Sequence, residues 1–380
     1  MSIKYLYVLV FAITSCSVIE ERGNFHVEID NEDFVVVADS IFESVNYIPL
    51  ETTDENLIAS VGKVVIENNT IYIFDDKQYD ITQYGINGSY LRSLSKRGRG
   101  PGEYLSIIDF ALYDSILVVL SSQNRKLFFY TKNNFQFLKT ITFPISSVRL
   151  KSYDNKLYIY CGNMSQDYFN MYVLDPFSER VINRYNEFDK KSANFFYSRR
   201  IFNISSDYNY YFEPYNYHIY EATPDGDSVV FLLDFGKKNM YDSEFLSMSP
   251  KAQRTYLKDK FPNRINRPIS GIDNLYYSDS LIFFTFVRGV VPYWYIQKKG
   301  ITPCIGSVVA SEYFPLLNSN VVYIDEEYIY EMVYPETILE KVEYCKENGK
   351  EHLIAQIPDW LISGIKFDDN PVLCRYKLKK

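Results

Sequence analysis

From about residue 60 to the end of the chain one unit repeats: a short apolar strand, a polar turn, an alternating aromatic strand, another turn and a further strand. The first copy runs through Val64–Ile66, Thr70–Phe74, Ile81–Tyr84 and Tyr90–Leu94, with Asn87-Gly88 as the tight hairpin signal. A second copy runs through Ile108–Leu112, Ile116–Leu120, Lys126–Tyr130 and Gln136–Thr142. Counting from Ile71, Ile116, Leu157, Tyr208, Leu281 and Val321 gives six units, most of them about 40 to 55 residues apart. That is the period of propeller blades.

A ring of sheets has to close, because an open end leaves an unpaired edge strand. Phe34–Ala38 and Val45–Leu50 are strand-like ahead of the first blade, and Val372–Leu378 is strand-like after the last, so the termini supply the closure. The wide gap before Leu281 is filled by Asp242–Phe261. There Ser243 is an N-cap candidate, Ser249-Pro250 restarts the pattern and Lys251–Lys260 has helix-forming content, which predicts a helical insertion between blades. Glu336–Glu347, with Ile338, Leu339, Val342 and Tyr344 near helical spacing, predicts a second helix. The expected fold is all-β, a six-bladed β-propeller over residues 41–380 with a small helical insertion and a short helix near the C-terminus.

Composition agrees. The chain holds 36 Tyr and 27 Phe, residues that suit pleated, half-buried surfaces. Its net charge is −8, with no long Lys/Arg run, which argues against nucleic acid as a partner.

Residues 1–15 read as an export signal of the lipoprotein kind. Lys4 is the positive flank, Tyr5 to Thr14 form the apolar core, and Ile13-Thr14-Ser15-Cys16 resembles a lipobox, which makes Cys16 the lipid attachment point. The core is shorter than the ~20 residues a membrane-spanning helix needs, so contact with the membrane is through the anchor only. Residues 16–40 form a tether and a first strand. Glu20-Glu21 soon after the cysteine resemble a surface-export signal and equally suit a solvated spacer.

Three further stretches carry a resemblance: Tyr47-Ile48-Pro49-Leu50-Glu51-Thr52, Arg97-Gly98-Arg99-Gly100-Pro101-Gly102-Glu103-Tyr104, and Asp369-Asn370-Pro371-Val372-Leu373. In order and place they resemble the six-bladed β-propeller lipoproteins of Bacteroidota, a family that itself resembles NHL-repeat propellers. The resemblance implies a cell-envelope, outer-membrane lipoprotein on the periplasmic or the surface face. It carries fold rather than activity.

Several motifs invite chemistry and are better explained without it. The Gly98–Gly102 loop lacks the Gly-Lys-Ser/Thr ending and following helix of a phosphate cradle, and reads as a connection between blades. Asp75-Asp76, Asp325-Glu326-Glu327 and Asp368-Asp369 sit at strand ends as turn acids. Trp294 and Trp360 lie in no sialidase-type Asp box, and no EF-hand-type loop is present. Cys161, Cys304, Cys345 and Cys374 lack CxxC spacing and read as buried free thiols, with disulfide pairing the other reading. His26, His218 and His352 are scattered. No metal site and no cofactor is implied.

Basic and aromatic residues concentrate in the middle blades, in Phe195-Phe196-Tyr197-Ser198-Arg199-Arg200, in Arg264 to Arg267, and at Arg288 with Tyr293-Trp294-Tyr295. Aromatic rings stack on sugars and Arg forks onto carboxylates, so Arg99, Tyr197, Arg199, Arg200, Arg267, Arg288 and Tyr293 are the candidate ligand-binding residues. The expectation is that Arg199, Arg200, Arg267 and Arg288 converge on one mouth of the ring. Packing between blades is the plainer account of the same aromatics.

The resulting functional expectation is a lipid-anchored binding module for a glycan, a peptide or an outer-membrane protein, with no catalytic chemistry evident. The alternative is a propeller lyase or hydrolase acting on a glycan or peptide in the channel. A third reading is an assembly lipoprotein docking through its blade edges and the Asp242–Phe261 insertion.

Overall fold

The computed structural model describes residues 35–188, 200–213, 217–236, 245, 248–263, 266–269, 271–289, 291–318 and 320–379. They form six small sheets, a six-bladed β-propeller.

The N-terminal strands β1 (Val35–Val37) and β2 (Phe42–Pro49) precede the first blade in sequence. Blade 1 comprises β3 (Val61–Glu67), β4 (Thr70–Asp75), β5 (Asp80–Gly85) and β6 (Tyr90–Leu94). Blade 2 comprises β7 (Asp109–Tyr113), β8 (Ile116–Ser121), β9 (Lys126–Thr131) and β10 (Phe137–Thr142). Blade 3 comprises β11 (Arg149–Tyr153), β12 (Lys156–Tyr160), β13 (Phe169–Asp175) and β14 (Arg180–Glu187). Each is an antiparallel meander, and the strand positions read from alternation agree with these bounds to within a few residues.

Blade 4 has three named strands, β15 (Tyr210–Phe212), β16 (His218–Ala222) and β17 (Asp227–Leu232). An innermost fourth is present in reduced form. Phe202 bridges Tyr211 antiparallel, Asn203 N donates to Tyr210 O at 2.8 Å, and Phe212 N donates to Ile201 O at 3.1 Å.

Blade 5 comprises β18 (Ile272–Tyr277), β19 (Leu281–Arg288), β20 (Val291–Lys298) and β21 (Cys304–Val309), with β1 added parallel outside β21. Blade 6 comprises β22 (Val321–Ile324), β23 (Tyr328–Val333) and β24 (Val372–Leu378), and β2 is its outermost strand, antiparallel to β24. The N-terminal segment therefore stitches two neighbouring blades and closes the ring.

Register fixes two faces. In every blade the inner strand begins on the face that also carries the turn between second and third strands; in blade 1, Val61 lies opposite Asp75 at the end of β4. We call this the upper face. The turns from first to second strand lie on the lower face.

Both helical excursions hang from upper-face connections. Helix α1 (Pro250–Lys260) lies between blades 4 and 5 and is capped by Ser249, whose hydroxyl accepts from Ala252 N at 3.3 Å. The candidate cap Ser243 lies outside the described residues. Helices α2 (Pro335–Glu347) and α3 (Asp359–Gly364) fill the connection from β23 to β24. Ile338, Val342 and Cys345 on α2 pack with Ile354, Ile357 and Leu361 in one core with blades 5 and 6.

The tyrosine excess has a specific use. Tyr84, Tyr104 and Tyr130 are fully buried between blades, and each hydroxyl donates to a backbone carbonyl of a connection or strand end: Asn56 O, Leu94 O and Gly102 O. A Phe would fill the same space and leave those carbonyls without that donor.

Candidate functional site

The six inner strands surround a channel, and in the first five blades a charged residue stands at or near the head of the inner strand. Lys63 lies on β3, Asp109 on β7, Arg149 and Lys151 on β11, Arg200 ahead of the reduced inner strand of blade 4, and Asp273 on β18. Lys63, Glu67, Asp76, Asp109, Arg149, Lys151 and Arg200 line a cavity of 520 Å³, together with apolar residues such as Val65, Ile108 and Val322 and the rings of Tyr79 and Tyr323. That volume lies within the ~300–1,000 Å³ range of small-molecule sites.

The charged groups tie successive blades together. Lys63 Nζ donates to Asp109 Oδ1 at 2.8 Å and to Phe110 O at 2.7 Å. The other carboxylate oxygen of Asp109 accepts from Leu150 N at 2.8 Å, so blades 1, 2 and 3 meet on one acid. Lys151 Nζ donates to three carbonyls of the blade 4 segment, Asn203 O at 2.8 Å, Ser205 O at 3.0 Å and Tyr208 O at 2.9 Å. Arg200 crosses to blades 5 and 6, its Nη1 donating to Asn274 Oδ1 at 2.6 Å and Val321 O at 2.7 Å.

Cations crowd here. Burial pushes the Lys63 ammonium down; Asp109 opposes that shift, while Arg149 and Arg200 add to it. Burial, with Lys63 nearby, pushes Lys151 down to about 7, against a smaller opposing pull from Asp207. Four basic groups thus share one wall with Glu67, Asp76 and Asp109.

The lower face has the opposite character. An acidic residue stands at every first turn: Glu67 at the end of β3, Asp114, Asp154, Asp207, Asp279, and Asp325 with Glu326 and Glu327. Several are engaged: Asp325 accepts from Tyr328 N at 2.8 Å and Tyr330 OH at 2.8 Å, and Asp279 accepts from Tyr208 OH.

Among the described residues, Arg99, Arg200, Arg267, Arg288 and Tyr293 belong to upper-face connections or strand ends, and Arg200 is the one of them that lines the cavity. Tyr197 and Arg199 lie outside the described residues. Arg99 sits in the connection from β6 to β7. Arg267 Nε donates to Phe261 O at 3.3 Å, near the foot of the α1 insertion. Arg288 is buried at the end of β19, and Tyr293 is buried on β20, stacked on Phe286.

The glycine-rich loop is a connection between blades. Gly100 N donates to Glu103 Oε2 at 2.7 Å, and Gly102, at φ +72°, lies so close to the Phe137 ring that a Cβ would fall 2.6 Å from it. Of the turn acids, Asp75 is buried and accepts from Ala59 N, Lys77 N and Gln78 N. The four cysteines Cys161, Cys304, Cys345 and Cys374 are free thiols. Among the described residues no group of three or more His, Cys, Asp or Glu is placed to hold a metal ion, and no helix is long and apolar enough to cross a membrane.

Sequence reasoning missed Lys63, Asp109, Arg149 and Lys151. Lys63 and Asp109 stand near the head of otherwise largely apolar strands, and Arg149 and Lys151 alternate in the short β11. The signal that finds them is a charge recurring at the head of successive repeats.

The family described as a domain of unknown function (DUF4934) matches residues 22–377. No curated protein matches the sequence significantly. Among solved structures, one described as an exported protein of Bacteroides fragilis NCTC 9343 superposes with a TM-score of 0.74 at 17% identity, covering 94% of this chain and 99% of that one. A member of the DUF4221 family from Bacteroides vulgatus ATCC 8482 gives a TM-score of 0.46 at 11% identity, over 89% of this chain and 97% of that one. Hydrazine synthase of Kuenenia stuttgartiensis gives 0.42 at 9% identity, over 86% and 88%.

Proposed function

We propose a binding function for this chain, which belongs to the family of the domain of unknown function DUF4934. It acts as an extracytoplasmic, non-catalytic module that takes a small soluble ligand into the upper mouth of its propeller channel. The observation carrying this reading is the 520 Å³ cavity walled by the inner strands. Its shape is set by rigid sheets, and its lining polar groups are held by neighbouring blades. A preformed wall of that kind spends little ordering entropy on binding. Lys151 is tied to three carbonyls of the blade 4 segment, which holds its position in the wall.

Export and anchoring belong to the same reading. The signal over residues 1–15 and Cys16 support an outer-membrane lipoprotein of the NHL-like propeller type, and the fold shared with a protein described as exported agrees with it. Detergent phase partitioning of the wild type against Cys16→Ala tests the anchor: the wild type enters the detergent phase and the variant does not.

The binding reading is tested by a thermal-shift screen of the mature chain against sugars, organic acids and peptides, since a ligand of the folded state raises its melting temperature. Saturable stabilisation by one chemical class supports it. A broad screen without any shift, alongside membrane crosslinking that captures one stable protein partner, overturns it in favour of a scaffold.

A further inference from the structure

We infer that the ligand is a small organic anion, whose carboxylate or sulfate group enters from the upper face and is held by Arg149 and Arg200. This rests on the binding reading above and adds the charge of the ligand to it.

The first observation is a local reversal of charge. The chain as a whole carries −8, yet the cavity wall sets the four basic groups of Lys63, Arg149, Lys151 and Arg200 against three acids, Glu67, Asp76 and Asp109. These cations sense one another. Lys63 lies within electrostatic reach of Arg149 and Arg200, and Lys151 within reach of Lys63. Like charges gathered in a poorly screened cavity repel, and an anion placed among them converts that repulsion into attraction.

The second observation is directional. The lower turn of every blade carries an acid, so the far end of the channel repels an anion, while at the upper end the basic groups outnumber the lining acids Asp76 and Asp109. Field lines confined by protein walls focus toward the cationic end and raise the local concentration of a ligand of opposite sign. Guanidinium groups on neighbouring blades match the planar geometry of a carboxylate or sulfate. Lys63, already bound to Asp109 and backbone carbonyls, and Lys151, bound to three carbonyls, contribute charge rather than contacts. The cavity volume limits the ligand to a small molecule or one chain end.

Calorimetric titration of the full mature chain tests this with matched probes. D-glucuronate is compared with D-glucose, which replaces the carboxylate by a hydroxymethyl group, and succinate and inorganic sulfate serve as anions without a sugar ring. The expected result is saturable binding of at least one organic anion, weakened by added salt, and no binding of glucose. Arg149→Gln and Arg200→Gln are each expected to weaken it by about tenfold or more. Because Arg200 also holds Asn274 and Val321, each variant is first checked for an unchanged fold by circular dichroism, and Arg149→Lys should retain part of the affinity.

Equal binding of glucose, or anion affinity untouched in folded Arg149→Gln and Arg200→Gln, overturns the assignment and leaves the binding module standing. Binding of sulfate but of no organic anion marks an adventitious ion only and also overturns it. Absence of binding by all four probes, with a neutral ligand emerging from the thermal-shift screen, overturns the assignment while confirming the module.

Discussion

Asn370 Nδ2 lies 3.1 Å from Oδ1 of Asn56, 314 residues earlier in the chain, and this contact sits at the seam where the last blade meets the first. The same buried amide group is within bonding distance of Glu51 O, Asn56 O and Tyr84 OH, its oxygen accepts from Ile58 N at 2.8 Å, and its backbone N donates to Thr52 Oγ1 at 2.8 Å. Leu50 N donates to Pro371 O beside it. The sequence stretches around Glu51-Thr52 and Asp369-Asn370-Pro371 are thus two halves of one clasp.

Asn370→Ala should destabilise the fold by about 2–4 kcal/mol, because it strands several buried polar groups at once. Asn370→Asp should cost at least as much, since a carboxylate would face carbonyl oxygens with no donor to offer. Urea denaturation curves measure both. A loss no larger than that of an exposed Asn→Ala control would contradict the clasp.

Gly102→Ala should destabilise by about 2–4 kcal/mol, from the positive φ and the clash with Phe137 together. In a Phe137→Leu background the clash is relieved and the backbone strain remains, so the cost of Gly102→Ala should fall to about 1 kcal/mol. A double-mutant cycle on melting temperatures separates the two parts.

Glu213 gives the pH prediction. Burial holds its carboxyl above the usual carboxylate range, although hydrogen bonds from Tyr160, Asn186 and Asn170 oppose the shift. For an acid raised on folding, the favourable contribution is full below the unfolded value and disappears as pH rises through the folded one. Glu213→Gln should therefore leave the melting temperature nearly unchanged near about pH 4 and raise it at neutral pH. A lower melting temperature for the variant at neutral pH would show that the ionised form is the stabilised one.

Truncation separates the roles of the two N-terminal strands. Removing residues up to 37 deletes β1 and leaves blade 5 with four strands, a loss of about 1–2 kcal/mol. Removing residues up to 50 also deletes β2 with the buried side chains of Phe42, Ile48 and Leu50, and the ring should lose its single cooperative unfolding transition. Differential scanning calorimetry of the two chains distinguishes these outcomes.

Most of the fold was legible because the second strand of each blade, packed on both sides, is almost continuously apolar; β4, β8 and β12 show it. For the first five blades the expected starts fall on or just ahead of those second strands, and only Val321 marks an inner one. Inner strands are harder to read, since they mix apolar packing positions with the charges of the channel. That of blade 4 is reduced to the Phe202 bridge, with a pattern too short to stand out. The site was obscured for the same reason. Clustered residues such as Tyr293-Trp294-Tyr295 draw attention, yet Tyr293 and Trp294 serve packing. Lys63, Asp109 and Lys151 come together only because about forty residues of chain make one full blade.

The double stitching of the N-terminal segment also decides how the molecule bears load. Tension applied through the chain ahead of Val35 reaches β1 first, three residues paired parallel on blade 5, and only after that strand peels away does it reach the longer β2 on blade 6. The short strand is a sacrificial link: it can detach and re-form under a fluctuating pull while the ring behind it stays shut.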